Sequence, residues 1–170
     1  MSRTPTRKSE AGKPSYITPA GYSRLEEEAA RLWTVERPKM AKAVATAAAE
    51  GDRSENAEYI YSKKKLAEID RRLRYLGKRL EVLTVVEPKP KRDGRVYFGC
   101  TVTLEDEEGD LVSYRIVGPD ETEVGTNTIS VESPMAKALL GKEEGDEVVV
   151  DRPKGSATFV IERVAFETTD

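Results

Sequence analysis

The clearest order in the chain is a run of positions spaced three and four residues apart: Tyr59, Ser62, Leu66, Ile69, Leu73, Leu76, Leu80 and Leu83, with Ser62 the one polar member. A seam of this kind, kept over more than three heptads, predicts a long helix whose apolar face lies against a partner helix. The partner is upstream. Tyr22, Leu25, Ala29 and Leu32 form a second stripe, opened by Thr18 as a cap and Pro19 at the first helical position. Pro38 should bend or interrupt this helix, because its ring conflicts with the carbonyl four residues back. The following "MAKAVATAAAEG" is again helix-forming, with Gly51 as a left-handed stop. Only a short break separates the two stripes. The helices should therefore fold back on each other as an antiparallel coiled-coil hairpin over residues 17–86, with arms roughly 45 Å long.

Beyond a charged, proline-containing linker at residues 87–94 the period changes to that of strands. "TVTLE" and "LVSYRIV" flank "DEEGD", and "DEVVVD" and "ATFVIERVAF" flank "RPKG", two hairpin signals. "SPMAKALLG" reads as a short helix with Ser133 as cap, Pro134 at the first position and Gly141 as stop. Residues 95–170 should form a globular domain of antiparallel sheet plus one short helix. Residues 1–16 are polar, basic and without apolar anchors, and are expected to be a disordered tail. The fold class is α+β, in two domains.

Composition narrows the chemistry. In 170 residues there is no histidine and one cysteine, Cys100, so neither an intramolecular disulfide nor a zinc site of Cys and His ligands is expected. Nucleophile pairs built on histidine are excluded as well. A metal would need oxygen ligands, which points to magnesium. No apolar run suits a membrane span or a secretory signal, so a cytoplasmic protein without membrane contact is expected. The net charge of −3 divides unevenly: residues 1–83 sum to +6 and residues 84–170 to −9. The front half should meet something anionic.

Two places carry candidate chemistry. The first is the break itself, "EGDRSENAEYIY", Glu50 to Tyr61, with Asp52 and Glu55. Asp52 as N-cap with Glu55 at N3 would be a variant capping box. Alternatively, two carboxylates at the end of a slender hairpin are held out to share a divalent cation in another enzyme's active site, the partner completing the coordination. The second is the outer face of the long helix. With Tyr59 at heptad position a, Lys64, Arg71 and Lys78 occupy f, and Lys65, Arg72 and Arg79 occupy g, with Lys63 and Arg74 alongside. Glu26 to Glu28 should oppose Lys78 and Arg79, leaving Lys64, Lys65, Arg71 and Arg72 incompletely neutralised. Such rows attract phosphates with a strong salt dependence. Without interleaved aromatics, little base specificity is expected. Cys100 beside Gly99 reads as core rather than reactive, and Trp33 as packing against the linker or the second domain.

"GDRSENAEY" at the break, "RRLRYL" on the long helix and "SPMAKALLGKEEGDEV" in the second domain resemble the GreA/GreB family of bacterial transcript-cleavage factors. Arg53 after Asp52, "ERP" at Glu36 to Pro38 and the dense basic helix resemble the GreB branch more. The resemblance spans Ile17 to Phe166; the longer N-terminal tail departs from it. It implies an N-terminal coiled-coil hairpin followed by an FKBP-like domain. It further implies a partner, RNA polymerase, whose secondary channel admits the hairpin, and contact with the extruded 3′ end of the nascent RNA. By the same resemblance Asp52 and Glu55 would help hold an Mg2+ shared with the polymerase, the chain having no cofactor of its own and no catalysis alone. Arg53, Ser54, Asn56 and Tyr59 would shape the tip. Lys64, Lys65, Arg71, Arg72, Arg74, Lys78 and Arg79 would contact RNA, and the free factor would be a monomer. A channel-binding regulator that does not stimulate cleavage is the alternative, and an autonomous isomerase or chaperone a third; no isomerase activity is expected.

Overall fold

The computed structural model describes residues 10–51, 56–89 and 93–166. They form two compact units, one made of residues up to Pro14 with Tyr22–Leu83, the other of Ser15–Gly21 with Thr84 onward.

The first unit is helical. α1 (Pro19–Arg31), a π-helical segment (Leu32–Glu36) and α2 (Arg37–Ala49) follow without a break, and α3 (Ala57–Val82) is the long second arm. The arms are antiparallel: Tyr22 Oη donates to the Leu80 carbonyl, Arg72 reaches Glu28, Arg37 meets Asp70, and Asn56 reaches Ala47. Leu76 and Leu83 of the seam are buried, and the polar Ser62 is buried with them. The interruption expected at Pro38 takes the form of the π segment. Pro38 has no N–H, and its ring would crowd the Thr34 carbonyl in a regular helix. Widening by one residue lets the Arg37 N–H reach the Leu32 carbonyl, five residues back, and the helix continues.

The segment before α1 differs from expectation. A disordered tail through residue 16 does not hold for residues 10–16, which carry a 3-10 turn at Glu10–Gly12 and a strand, β1 (Ser15–Ile17). Ala11 is 2% exposed. The cause is a side chain that sequence patterning could not assign: Arg79 donates from Nη1 to the carbonyls of Lys13 at 2.5 Å and Ala11 at 3.4 Å.

In the second unit, β1 pairs with β2 (Leu83–Val85), and the Val86 N–H donates to the Ile17 carbonyl at 2.8 Å. The main sheet has five strands in the order β5-β4-β3-β7-β6, namely Thr128–Ser130, Leu111–Val117, Thr101–Glu105, Gly155–Ala165 and Glu147–Arg152. Both hairpins form where turn chemistry placed them, but the sheet is mixed. β5 runs parallel to β4, with Ile116 opposite Ile129, where an antiparallel sheet was expected. One face holds Val102, Leu104, Ile116, Val148, Val150, Phe159 and Ile161 against α4 (Pro134–Leu139). Ser133 caps α4 by accepting from the Ala136 N–H, as its sequence predicts.

A carboxylate is buried in this unit. Glu121, 6% exposed, accepts from the Thr18 and Gly118 N–H groups at 3.0 and 2.9 Å and from the Thr18 hydroxyl. Thr18 Oγ1 in turn accepts from the Gly21 N–H at 3.1 Å, starting α1. Gly21 and Gly118 sit so close to Glu121 and to the Tyr16 carbonyl that a Cβ on either would clash.

Candidate functional site

Of the proposed tip residues, Asp52, Arg53, Ser54 and Glu55 lie outside the described residues; their neighbours on both sides do not. α2 ends at Glu50, whose N–H returns to the Ala47 carbonyl, and Gly51 has φ 146°, a conformation reserved for glycine. On the far side, Asn56 is extended (φ −84°, ψ 102°) and caps α3, its Oδ1 accepting from the Tyr59 N–H at 3.1 Å. The cap position proposed for Asp52 is therefore filled by Asn56, and helix α3 needs neither acid to begin. Asn56 also donates from Nδ2 to the Ala47 carbonyl at 2.8 Å. One side chain thus caps the second arm and ties it to the last turn of the first. Tyr59 follows one turn later, with Lys63 Nζ 5.8 Å from its ring centroid.

The two cation rows on α3 behave differently. At position f, Lys64, Arg71 and Lys78 are exposed and without an ion pair among the described residues, and Arg74 joins them. At position g the charge is largely used. Arg72 forms a two-point pair with Glu28, at 2.7 and 3.0 Å. Lys65 lies 3.4 Å from Glu68. Arg79, 4% exposed, serves the carbonyls before α1. The register differs from expectation too, because Glu28 meets Arg72 rather than Lys78 or Arg79. The Arg72 guanidinium holds the Glu28 carboxyl below its ordinary value, first by hydrogen bonding. Buried and bound to backbone, Arg79 is a structural residue and not a solvent-facing RNA contact.

Aromatic residues are interleaved with the cations after all. Lys65 Nζ lies 5.8 Å from the Tyr61 ring centroid, and the Arg72 guanidinium 5.3 Å from that of Tyr75. Tyr61 and Tyr75 are 14 residues apart, hence both at heptad position c, adjacent to the f and g rows. That spacing is legible in the sequence. Trp33, expected to pack, is 62% exposed beneath the Arg37 guanidinium.

Among the described residues no group of three or more acidic, Cys or His side chains is placed to hold a metal. Cys100 is buried in the core, which pushes its thiol up to about 11. No helix among the described residues is long and apolar enough to cross a membrane.

Comparison with known proteins covers both units. Residues 15–85 match the family described as transcription elongation factor, N-terminal, and residues 90–166 match transcription elongation factor, GreA/GreB, C-term. Transcription elongation factor GreB of Haemophilus influenzae is 53% identical over 155 residues, covering 91% of this chain and 98% of that protein. Its counterpart in Pseudomonas aeruginosa is 57% identical over 153 residues, covering 89% and 90%. Among solved structures, the transcription factor Gfh1 aligns over 90% of this chain and 98% of its own, at 28% identity and a TM-score of 0.44.

Proposed function

Because the chain belongs to the GreA/GreB family of transcription elongation factors, we propose that it binds RNA polymerase through the secondary channel and stimulates cleavage of backtracked nascent RNA, so that arrested complexes resume synthesis. The observation that carries this reading is the Asn56 clamp. With α3 capped by Asn56 and tied to Ala47, the acids of the "GDRSENAEY" loop are not required to start the helix, and a capping role no longer accounts for them. This supports a role for Asp52 and Glu55 in chemistry shared with a partner.

In this reading Asp52 and Glu55 would hold a magnesium ion shared with the polymerase. Two carboxylates give hard oxygen ligands suited to that ion but too few to bind it alone, which is why the partner must complete the site. When bound, the ion supplies positive charge that stabilises phosphodiester hydrolysis. The chain's own contribution is position. Gly51 and Asn56 fix both ends of the loop, and placement of a reacting group can account for a large share of a barrier. Arg53 and Ser54 would shape the loop, with Tyr59 one helical turn behind. Lys64, Arg71, Arg74 and Lys78, without an ion pair among the described residues, supply positive charge to the extruded 3′ RNA segment, by a salt-dependent attraction that needs no sequence.

The test is the sign of the effect on a stalled, backtracked elongation complex. Added factor should release short 3′ RNA fragments and restore extension. Slower nucleotide addition with no fragments would make the chain a channel-binding inhibitor and overturn the reading.

A further inference from the structure

A groove of about 400 Å³ opens on the hairpin between the π segment with α2 and the first half of α3, lined by Glu36, Lys39, Met40, Tyr61, Lys65, Glu68 and Ile69. We propose that this groove is a nucleobase site: a base of single-stranded RNA stacks on Tyr61, while its phosphates lie outside the groove along Lys64 and Arg71. The proposal rests on the reading that the cation face of α3 meets RNA, and it adds a place where that RNA is held by its base.

Four observations lead there. Tyr61 is 59% exposed, and Met40 and Ile69 line the same groove. An exposed side chain with a large flat face suits stacking, since every base offers a π-face. Second, the cations are divided by location. Lys65 is occupied at the groove by the Tyr61 ring and Glu68, whereas Lys64 and Arg71, one row over, have no partner among the described residues. A strand following the helix would leave its phosphates on the f row and turn its base toward position c.

Third, the groove carries acids as well as lysines. Glu36 accepts from Arg31 through Oε1 and Glu68 pairs with Lys65 through Oε2, leaving the second oxygen of each without a partner among the described residues. Carboxylates repel a phosphate, so they rule against the backbone entering. They accept hydrogen bonds from exocyclic amino groups, as acidic side chains do from cytosine. The ligand class is therefore an amino-bearing base, with uracil disfavoured. Fourth, the volume falls within the range of small-ligand pockets.

The experiment uses the full-length chain and two single-stranded RNA dodecamers, one of cytidine with a single 5-iodocytidine and one of uridine. Long-wavelength irradiation couples the iodinated base to a stacked ring, and the adduct should map to Tyr61 by mass spectrometry. Tyr61→Leu should weaken cytidine binding roughly 5- to 150-fold, the range of one lost stacking contact. Tyr61→Phe keeps the ring and should stay close to wild type. Glu36→Gln/Glu68→Gln should narrow the preference for cytidine over uridine. An adduct mapping elsewhere, a Tyr61→Leu variant that binds like wild type with an unchanged helical spectrum, or no measurable binding of either RNA would overturn the proposal. An adduct elsewhere or a wild-type-like Tyr61→Leu overturns this inference alone, absent RNA binding also removes the RNA contact of the proposed function, and transcript cleavage is read by a separate assay.

Discussion

Replacing Asn56 by alanine removes two hydrogen bonds at once, and their geometry sets the cost. Loss of the cap leaves the Tyr59 N–H without its acceptor at 3.1 Å, which costs about 1 kcal/mol for a typical N-cap. The 2.8 Å bond to Ala47 is lost as well, but that carbonyl keeps the Glu50 N–H at 3.2 Å, so the added cost is about 1 kcal/mol rather than a full desolvation penalty. The sum is about 2 kcal/mol for Asn56→Ala. Asn56→Asp retains the acceptor and gains a favourable interaction with the helix N-terminus, yet it loses the donor and sets a carboxylate against a carbonyl. It should fall between wild type and alanine, at about 1 kcal/mol. Urea unfolding followed by the helical signal measures both. Cleavage stimulation should fall by about tenfold or more in Asn56→Ala, since the loop's two ends are no longer tied. An alanine variant within about 0.5 kcal/mol of wild type, the range of ordinary surface changes, would refute the clamp.

Other outcomes follow from the same contacts. Glu121→Ala should destabilise by about 3 kcal/mol in thermal unfolding, because it strands two buried N–H groups and a hydroxyl together. Cys100 should resist alkylation at pH 8. Its thiol is raised by burial to about 11 in the fold, above the unfolded value, so its contribution is intact below the unfolded pKa. That contribution is lost as pH rises toward 11, and labelling should accelerate over the same interval as stability falls. Lys64→Gln/Arg71→Gln should lower the salt slope of single-stranded RNA binding by roughly 0.7 per charge. Arg79→Gln should leave that slope unchanged and instead expose residues 10–14 to proteolysis, since its cation is spent on backbone carbonyls.

How far these features could be read in advance depended on whether their cause was local. The seam from Tyr59 to Leu83, the Ser133 cap and both hairpins follow from periodicity and turn chemistry, which act over a few residues, and all of them formed. Pro38 was legible as a fault in the helix, but the π segment that absorbs it was not, because proline sets what cannot form rather than what replaces it. β5 has three residues and a parallel partner, too short to show a period. The fate of Arg79 depended on carbonyls 66 and 68 residues away. At the tip, a Ser/Asp/Asn-rich stretch offered several possible caps within five residues, and only the backbone conformation selected Asn56. Tyr61 and Tyr75 share heptad position c, which the sequence carries outright; their closeness to Lys65 and Arg72 depends on side-chain conformations that it does not.

The most direct test of the central claim is cleavage of a backtracked RNA polymerase complex by an Asp52→Asn/Glu55→Gln double variant, with binding to the same complex measured in parallel. These near-isosteric changes remove both negative charges and leave the Asn56 clamp in place. Binding should persist while stimulated cleavage disappears. Full stimulation by the double variant would contradict the account, because the acids would then contribute nothing to the chemistry proposed for them.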